Sequence, residues 1–309
     1  MVVRRRKKRK NIIFSIQKDG VEIEETEEIL KLATDYYKDL FGHSINTDIK
    51  LNQDCWTTKE KVTSAEGEEL CRKFELDEIK HAIFDMEKNT APGPDHMPVE
   101  FFQVCWEVIK EDLLEMFEKF HEHNLEIDRL NYGTITLIPK LKEANQIQQY
   151  RPICLLNVVF KIFSKTLMLR LESVLERIIN KEQTAFLKGR SIMEGTMCLH
   201  EIIHDTKVKK KDGLVLKLDF EKAYDKISWQ FLFDCIKQRG FPEKWCNWIK
   251  RLVTSGTLSV KINDMMGPYF TSGKGVRQGD PLSPLLFNLA ADALAKMIHM
   301  GQESKKSEV

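Results

Sequence analysis

A chain of 309 residues, 42% hydrophobic and 31% charged, is long enough to bury a substantial core as one large domain or two subdomains. Its 48 basic and 47 acidic residues leave a net charge of +1, which by itself does not announce a nucleic-acid binder. No apolar run approaches the ~20 residues of a membrane span and the N-terminus lacks the apolar stretch of a secretory signal, so no membrane and an intracellular, reducing setting (nuclear or cytoplasmic) are expected.

Arg4 to Lys10 (RRRKKRK) carries seven positive charges, which puts the rest of the chain at −6. Such a run reads as a nuclear-localisation signal, a phosphate-binding arm or a solvated tail. Residues 22–41 space Ile29, Leu32, Ala33, Tyr36, Leu40 and Phe41 as a helix with an acidic start. Residues 43–70 are polar and weakly periodic and read as a linker. Ile79, Ile83 and Met86 then mark a short amphipathic helix. Three prolines and a glycine between Asn89 and Pro98 forbid regular structure, and Pro98 can open a long helix to about His121.

Thr134 to Ile138 alternates like a strand and is stopped by Pro139. Helices are expected over 157–179 and 191–209, the second with a basic end, and a strand over 214–220. Ser228 can cap a helix to Arg239, and 243–254 is another. Residues 257–262 and 268–272 read as a hairpin, and Pro281 onward is helical to about Met300. Helices dominate and the strands do not alternate with them as βαβ units, so the fold class is α+β. Seven cysteines (55, 71, 105, 154, 198, 235, 246), odd in number and without a C-x-x-C pair, read as free thiols.

Chemistry concentrates in four places. In 214–220, Leu214, Leu216, Leu218 and Phe220 fall on one strand face, with Val215, Lys217 and Asp219 on the other. Asp219 at the strand end, with Glu221 and Asp225 close by, suits a hard divalent cation; the alternative is a carboxylate that caps the next turn. Gly275, Gly279, Pro281 and Pro284 make a tight loop into a helix, with Gln278 an uncharged donor and acceptor suited to lining a base pair. Lys140 and Arg151 stand beside prolines that fix their direction, and together would suit a triphosphate; surface solvation is the other reading. His200-Glu201-Ile-Ile-His204 is a literal H-E-x-x-H, the helical zinc-protease pattern, but it needs a third ligand, and Glu221 in the strand-end turn is the nearest downstream candidate.

In chain order stand Ala91-Pro-Gly-Pro-Asp95 with Glu100-Phe101-Phe102, Leu137-Ile-Pro-Lys140, Tyr150-Arg-Pro-Ile-Cys-Leu155, Gln183 to Arg190, the Asp219 segment, and Arg277-Gln-Gly-Asp-Pro-Leu-Ser-Pro284. Over roughly 76–300 this series resembles the reverse transcriptase domain of a non-LTR (LINE-type) retrotransposon, of a plant-like kind. The resemblance implies the fingers and partial palm of a right-hand polymerase: residues 1–75 a basic N-terminal segment and connector, 76–212 a fingers-like region, 213–309 a partial palm. It implies RNA-directed DNA polymerisation, with dNTP and an RNA template carrying a DNA primer as ligands. Asp219 would be the catalytic, metal-binding aspartate, with the carbonyl of Phe220 a further ligand of Mg²⁺. Lys140 and Arg151 would hold the triphosphate, and Tyr224 would be the gate against a 2′-hydroxyl. Gln278 would contact nucleotide and, with Gly279, the template–primer. The family's aromatic-x-Asp-Asp hairpin, which would pair with the Asp219 strand, is not found, and no Asp-Asp dipeptide occurs in the 309 residues. The resemblance therefore implies an incomplete two-metal site and a truncated, inactive polypeptide, with a non-catalytic nucleic-acid-binding remnant as the alternative. Nothing in the sequence sets an oligomeric state.

Overall fold

The computed structural model describes residues 12–42, 51 and 55–306, so the basic run Arg4–Lys10 lies outside the described residues. The first described element is a hairpin, β1 (Ile16–Lys18) and β2 (Val21–Ile23), turned at Asp19-Gly20. Both turn residues have positive φ (52° and 83°), the backbone that a two-residue Asp-Gly loop supplies. Helix α1 (Thr26–Leu40) follows, with Glu27 and Glu28 in its first turn and Lys38 in its last. Its buried face, Ile29, Leu30, Ala33, Thr34 and Tyr37, falls on one helical stripe.

Part of the stretch read as a linker is helical: α2 spans Ser64–Leu70. A reciprocal cap starts it, the Thr63 hydroxyl accepting from the Glu66 N–H (3.3 Å) and the Glu66 carboxylate accepting from the Thr63 N–H (2.8 Å). Helix α3 (Leu76–Phe84) follows. The region read as one helix from Pro98 is two, α4 (Val99–Val104) and α5 (Trp106–His121), because Cys105 (φ −87°, ψ 9°) leaves helical geometry between them.

The central sheet contains β3 (Tyr132–Pro139), β4 (Tyr150–Leu156), β5 (Thr257–Ile262), β6 (Met265–Met266) and β7 (Phe270–Thr271). Its order is β4-β3-β5-β6, with β7 also pairing β5. β3 and β4 are antiparallel from Gly133 opposite Leu156 to Pro139 opposite Tyr150. β3 and β5 are parallel from Tyr132 opposite Thr257 to Thr136 opposite Lys261, which requires a long crossover. That crossover carries β4 and helices α6 (Val158–Ile178), α7 (Ile192–Val208), α8 (Ala223–Lys226), α9 (Trp229–Gln238) and α10 (Glu243–Thr254). The expected 257–272 hairpin forms with a tighter turn than its spacing suggested. Asn263 and Asp264 alone make it, at φ 48° and 72°, and set Met265 opposite Ile262. The last element is α11 (Ser283–Lys306).

One apolar cluster runs from Ile13 through the sheet and helices to Ala290 in α11. Phe117 of α5 stacks on Phe163 of α6 at 4.0 Å, and Trp248 of α10 meets Phe74 at 5.4 Å. Two buried arginines fasten elements to this core. Arg170 of α6 bonds Glu78 (2.6 Å) and the carbonyls of Leu70, Arg72 and Lys73, with its guanidinium over the Phe74 ring. Arg239, just past α9, pairs with Asp292 of α11 in a contact with side chains 0% and 5% exposed. The N-terminal segment is tied to the sheet's far loops: Ile13 and the Asn263 amide exchange two hydrogen bonds (2.9 and 2.7 Å), and Gln17 N–H donates to the Asn145 carbonyl.

The strand expected over 214–220 does not form. These residues belong to no ladder, and among the described residues no backbone hydrogen bond starts from 212–220. Its intended inner face is turned to solvent, Leu214 being 93% and Leu216 74% exposed. Alternation and β-branching favour a strand only when a neighbour accepts its backbone groups, and no described residue does so. The preceding α7 likewise buries none of its residues, although Ser191 caps it by accepting from Met193 N–H (3.3 Å).

Candidate active site

The 275–280 loop is held on three sides. Gly275 N–H donates to the Ile227 carbonyl and Val276 N–H to the Tyr224 carbonyl, both at 2.8 Å, and the Trp229 indole donates to the Gly275 carbonyl at 2.7 Å. On the other flank Cys154 N–H, on the outer edge of β4, donates to the Gln278 carbonyl at 2.8 Å. Two glycines permit this closeness. Gly275 (φ 84°) would place a Cβ 2.6 Å from the Asp225 carbonyl oxygen, and Gly279 (φ 117°) would place one 2.5 Å from the Cys154 carbonyl oxygen.

Below the loop, Arg277 is buried. Its guanidinium bonds the Asn131 side-chain oxygen and the Leu252 carbonyl and lies over the Phe160 ring at 4.6 Å. Asp280 accepts from the Ser164 hydroxyl and from Leu282 N–H (3.2 Å), fixing the entry to α11. These charged side chains of the loop face the core, so the polar group it presents beside the 221–226 turn is the half-buried Gln278.

Gln278 Nε2 donates to Asp225 Oδ1 at 3.0 Å. Asp225, in α8, is 2% exposed, and burial pushes its carboxyl up to about 6 against the opposing pull of the Gln278 hydrogen bond and the Lys222 and Lys140 charges. Lys222 adopts the left-handed region (φ 52°), which turns the chain into α8. Its ammonium bonds the Tyr36 hydroxyl of α1 and lies 4.7 Å from the centre of that ring. Tyr224 is half-buried, stacked on Phe287 of α11 at 4.6 Å with planes 10° apart.

Lys140 and Arg151 are exposed at the open end of the β3–β4 pair. Arg151 lies opposite Ile138, and Lys140 continues the register by donating its N–H to the Gln149 carbonyl (2.8 Å), so the two cations share one face of the ribbon. The Lys140 ammonium also donates to the Gln148 carbonyl at 3.0 Å. Gln148 and Tyr36 line a cleft of about 390 Å³ between α1 and the 146–148 turn.

The structure therefore brings Tyr224 and Gln278 together with Asp225 and Lys222, and the charge of Lys140 acts on Asp225 from the end of the β3–β4 pair. Asp219 and Phe220 lie on the exposed 212–220 stretch, and among the described residues no hydrogen bond or ion pair joins Asp219 to the others. The carboxylates near it in sequence are engaged elsewhere, Glu221 with Lys226 (2.6 Å) and Asp225 with Gln278. His200 and His204 are on the exposed helix α7, and among the described residues no group of three His, Cys, Asp or Glu could hold a metal, so the H-E-x-x-H pattern finds no third ligand. Sequence reasoning passed over Lys222 and Tyr36. The signal for Lys222 was faint, a lysine two residues before the candidate gate Tyr224; Tyr36 looked like any helical core aromatic.

A family model described as "Reverse transcriptase (RNA-dependent DNA polymerase)" matches residues 138–305. The chain is 30% identical over 286 residues to the "Transposon TX1 uncharacterized 149 kDa protein" of Xenopus laevis, covering 92% of this chain and 22% of that protein. It is 28% identical over 246 residues to the "Retrovirus-related Pol polyprotein from type-1 retrotransposable element R2" of Nasonia vitripennis, covering 79% of this chain and 23% of that one. The chain thus spans about a fifth of the length of these curated relatives. A solved structure titled "Partial Cas6-RT-Cas1--Cas2 complex" aligns with a TM-score of 0.42 at 18% identity, over 72% of this chain and 33% of that chain.

Proposed function

The chain belongs to the reverse transcriptase (RNA-dependent DNA polymerase) family, in its non-LTR retrotransposon branch, and on that premise we propose that the Lys140–Tyr224–Gln278 cluster is its nucleotide and template–primer site. The observation that carries this reading is the 275–280 loop, pinned between β4 and the 221–226 turn so that Gln278 bonds Asp225, the residue next to Tyr224. Lys140 and Arg151, on one face of the β3–β4 ribbon, would bind the triphosphate of an incoming dNTP by charge-assisted hydrogen bonds. Tyr224, immobilised on Phe287, has the rigidity required of a group that excludes a 2′-hydroxyl by contact. Gln278 and Gly279 would touch the template–primer. The division into a connector (1–75), fingers (76–212) and partial palm (213–309) is part of the same proposal.

Polymerases of this family use divalent metal ions, and Mg²⁺ is the ion proposed. Asp219 fits it in one respect: its carboxylate is exposed and unengaged among the described residues. Mg²⁺ is commonly held by one or two carboxylates plus substrate phosphates, so Asp219 and the Phe220 carbonyl would hold the ion with the dNTP. When bound, the ion supplies charge stabilisation at the reacting phosphate. Around it the chain's own residues bind the triphosphate, select the sugar and hold the template base. Because no Asp-Asp dipeptide occurs in these 309 residues, and Glu221 and Asp225 are engaged, the polypeptide is proposed to bind without extending a primer.

The test is binding of a labelled RNA template–DNA primer duplex to the 309-residue polypeptide across a salt series, with primer extension followed in parallel. Affinity should fall steeply with salt, as phosphate contacts require, and weaken about threefold to tenfold in Lys140→Ala and Arg151→Ala. No binding at low salt would reject the site, and Mg²⁺-dependent extension that Asp219→Ala abolishes would reject the inactivity. Salt-dependent binding without extension is the outcome a nucleic-acid-binding remnant also gives, and the Lys140 and Arg151 variants tell a triphosphate site from a general basic surface when dNTP is added.

A further inference from the structure

We propose that Asp225 is the positioning residue for Gln278: its carboxylate takes the Nε2 hydrogen of the amide and turns the amide oxygen to the open side of the 275–280 loop. An ionised carboxylate only accepts, so the Gln278 group facing it at 3.0 Å has to be the NH₂ end, and the acceptor end points the other way. Gln278's backbone is already fixed by its carbonyl bond from Cys154 N–H, and Gly275 is packed on the Asp225 carbonyl. Asp225 therefore sets which end of the amide is outward. At 2% exposure the carboxylate has little access to water that could compete for the contact.

The groups facing Asp225 come from each element around it: Lys222 from its own turn, Lys140 from the end of β3, the Tyr37 phenol from α1, and Gln278 from the loop. Burial pushes the Tyr37 phenol up, with Tyr36 and Asp225 adding to it, so that phenol stays neutral in this range. Burial also pushes the Asp225 carboxyl up to about 6. Below that pH the acid gains a hydroxyl donor, which is satisfied by the amide oxygen, and the NH₂ end turns outward instead. The loop then shows a donor where it had shown an acceptor. This rests on the polymerase reading only in what the open side receives, a base or sugar edge of the template–primer.

The experiment follows the Gln278 side-chain ¹⁵N amide signals of the 309-residue chain from pH 5 to 8, assigned by their loss in Gln278→Ala, beside binding of the labelled RNA–DNA duplex. The wild-type amide pair should shift with a midpoint near 6, and the shift should vanish in Asp225→Asn, which keeps the size of the side chain. At pH 7.5 Asp225→Asn and Gln278→Ala should each weaken the duplex about threefold to tenfold, with the double variant no worse than either single one. An amide titration that persists in Asp225→Asn, or losses that multiply in the double variant, would overturn the proposal. Wild-type chain that shows the amide titration but binds no duplex at low salt overturns the polymerase reading instead, leaving the Asp225–Gln278 contact in place.

Discussion

An ionised carboxylate buried as Asp225 is opposes folding, because the charge has left water and the surrounding groups do not repay it in full. Its folded value of about 6 lies above the 3.8 of a free aspartate, so the folded state holds the proton more tightly. The stabilisation is fully present below about pH 4 and is lost as pH rises through 6, leaving the chain short by at most about 2–3 kcal/mol at neutral pH. Asp225→Asn should therefore raise the melting temperature at pH 7.5 by about 5 °C, with the gain shrinking toward zero near pH 4. A thermal melt that is unchanged, or lowered, at pH 7.5 would show that Lys222, Lys140 and Gln278 repay the burial. Gln278 and Lys140 were legible as candidate site residues because glycine and proline around them mark a constrained backbone. Arg277 was legible only as part of a motif. That it faces Asn131 and Phe160 follows from packing between residues more than a hundred positions apart, which no local pattern encodes.

Among the elements, helices declared themselves well and strands poorly. The acidic start and apolar stripe of α1 carry their own information, since a helix satisfies its backbone internally. A strand depends on its neighbours. The 214–220 stretch has the better alternation and stays unpaired, whereas β4, with Pro152 inside it, pairs along its length with β3. Proline is tolerated there because β4 lies at the end of the β4-β3-β5-β6 order, where one side of the strand needs no ladder donor. The β1–β2 hairpin had a signal, Asp19-Gly20, that passed unread because its strands are only three residues each. Without backbone partners, the amides of 212–220 should exchange with solvent at nearly unprotected rates while those of β3 and β5 exchange slowly. Hydrogen-exchange mass spectrometry reads this directly, and protection of 214–220 equal to that of β3 would mean that the segment is a paired strand in solution.

For the whole molecule, the N-terminal segment is a structural member of the body. Ile16, Ile29, Ala33 and Tyr37 are almost fully buried in the same cluster as the sheet, and Tyr36 reaches Lys222 beside the candidate site. At roughly 1.5–3 kcal/mol for each large apolar side chain, their burial is comparable with the ~5–15 kcal/mol net stability of a typical protein. Removing residues 1–42 should therefore abolish the cooperative thermal transition rather than merely lower it, and a sharp calorimetric transition in the shortened chain would show that the rest folds alone. The sequence pattern identified α1 as a helix, but its place on β5 and β6 depends on contacts such as Ile13 with Asn263, made between residues 250 positions apart.

The parallel pairing of β3 with β5 has a consequence for synthesis. Tyr132 and Thr257 are partners 125 residues apart, so the first leaves the ribosome well before the second has been made. At typical elongation rates of about 5–20 residues per second, that interval is roughly 6–25 s, long compared with the microseconds in which a hairpin closes. The β3–β4 ribbon can form early and must then wait with one edge open, while α1 waits for the same partner strand. An edge held open for that long can pair with other chains, so shelter of the β3 edge during synthesis should raise the yield of folded protein.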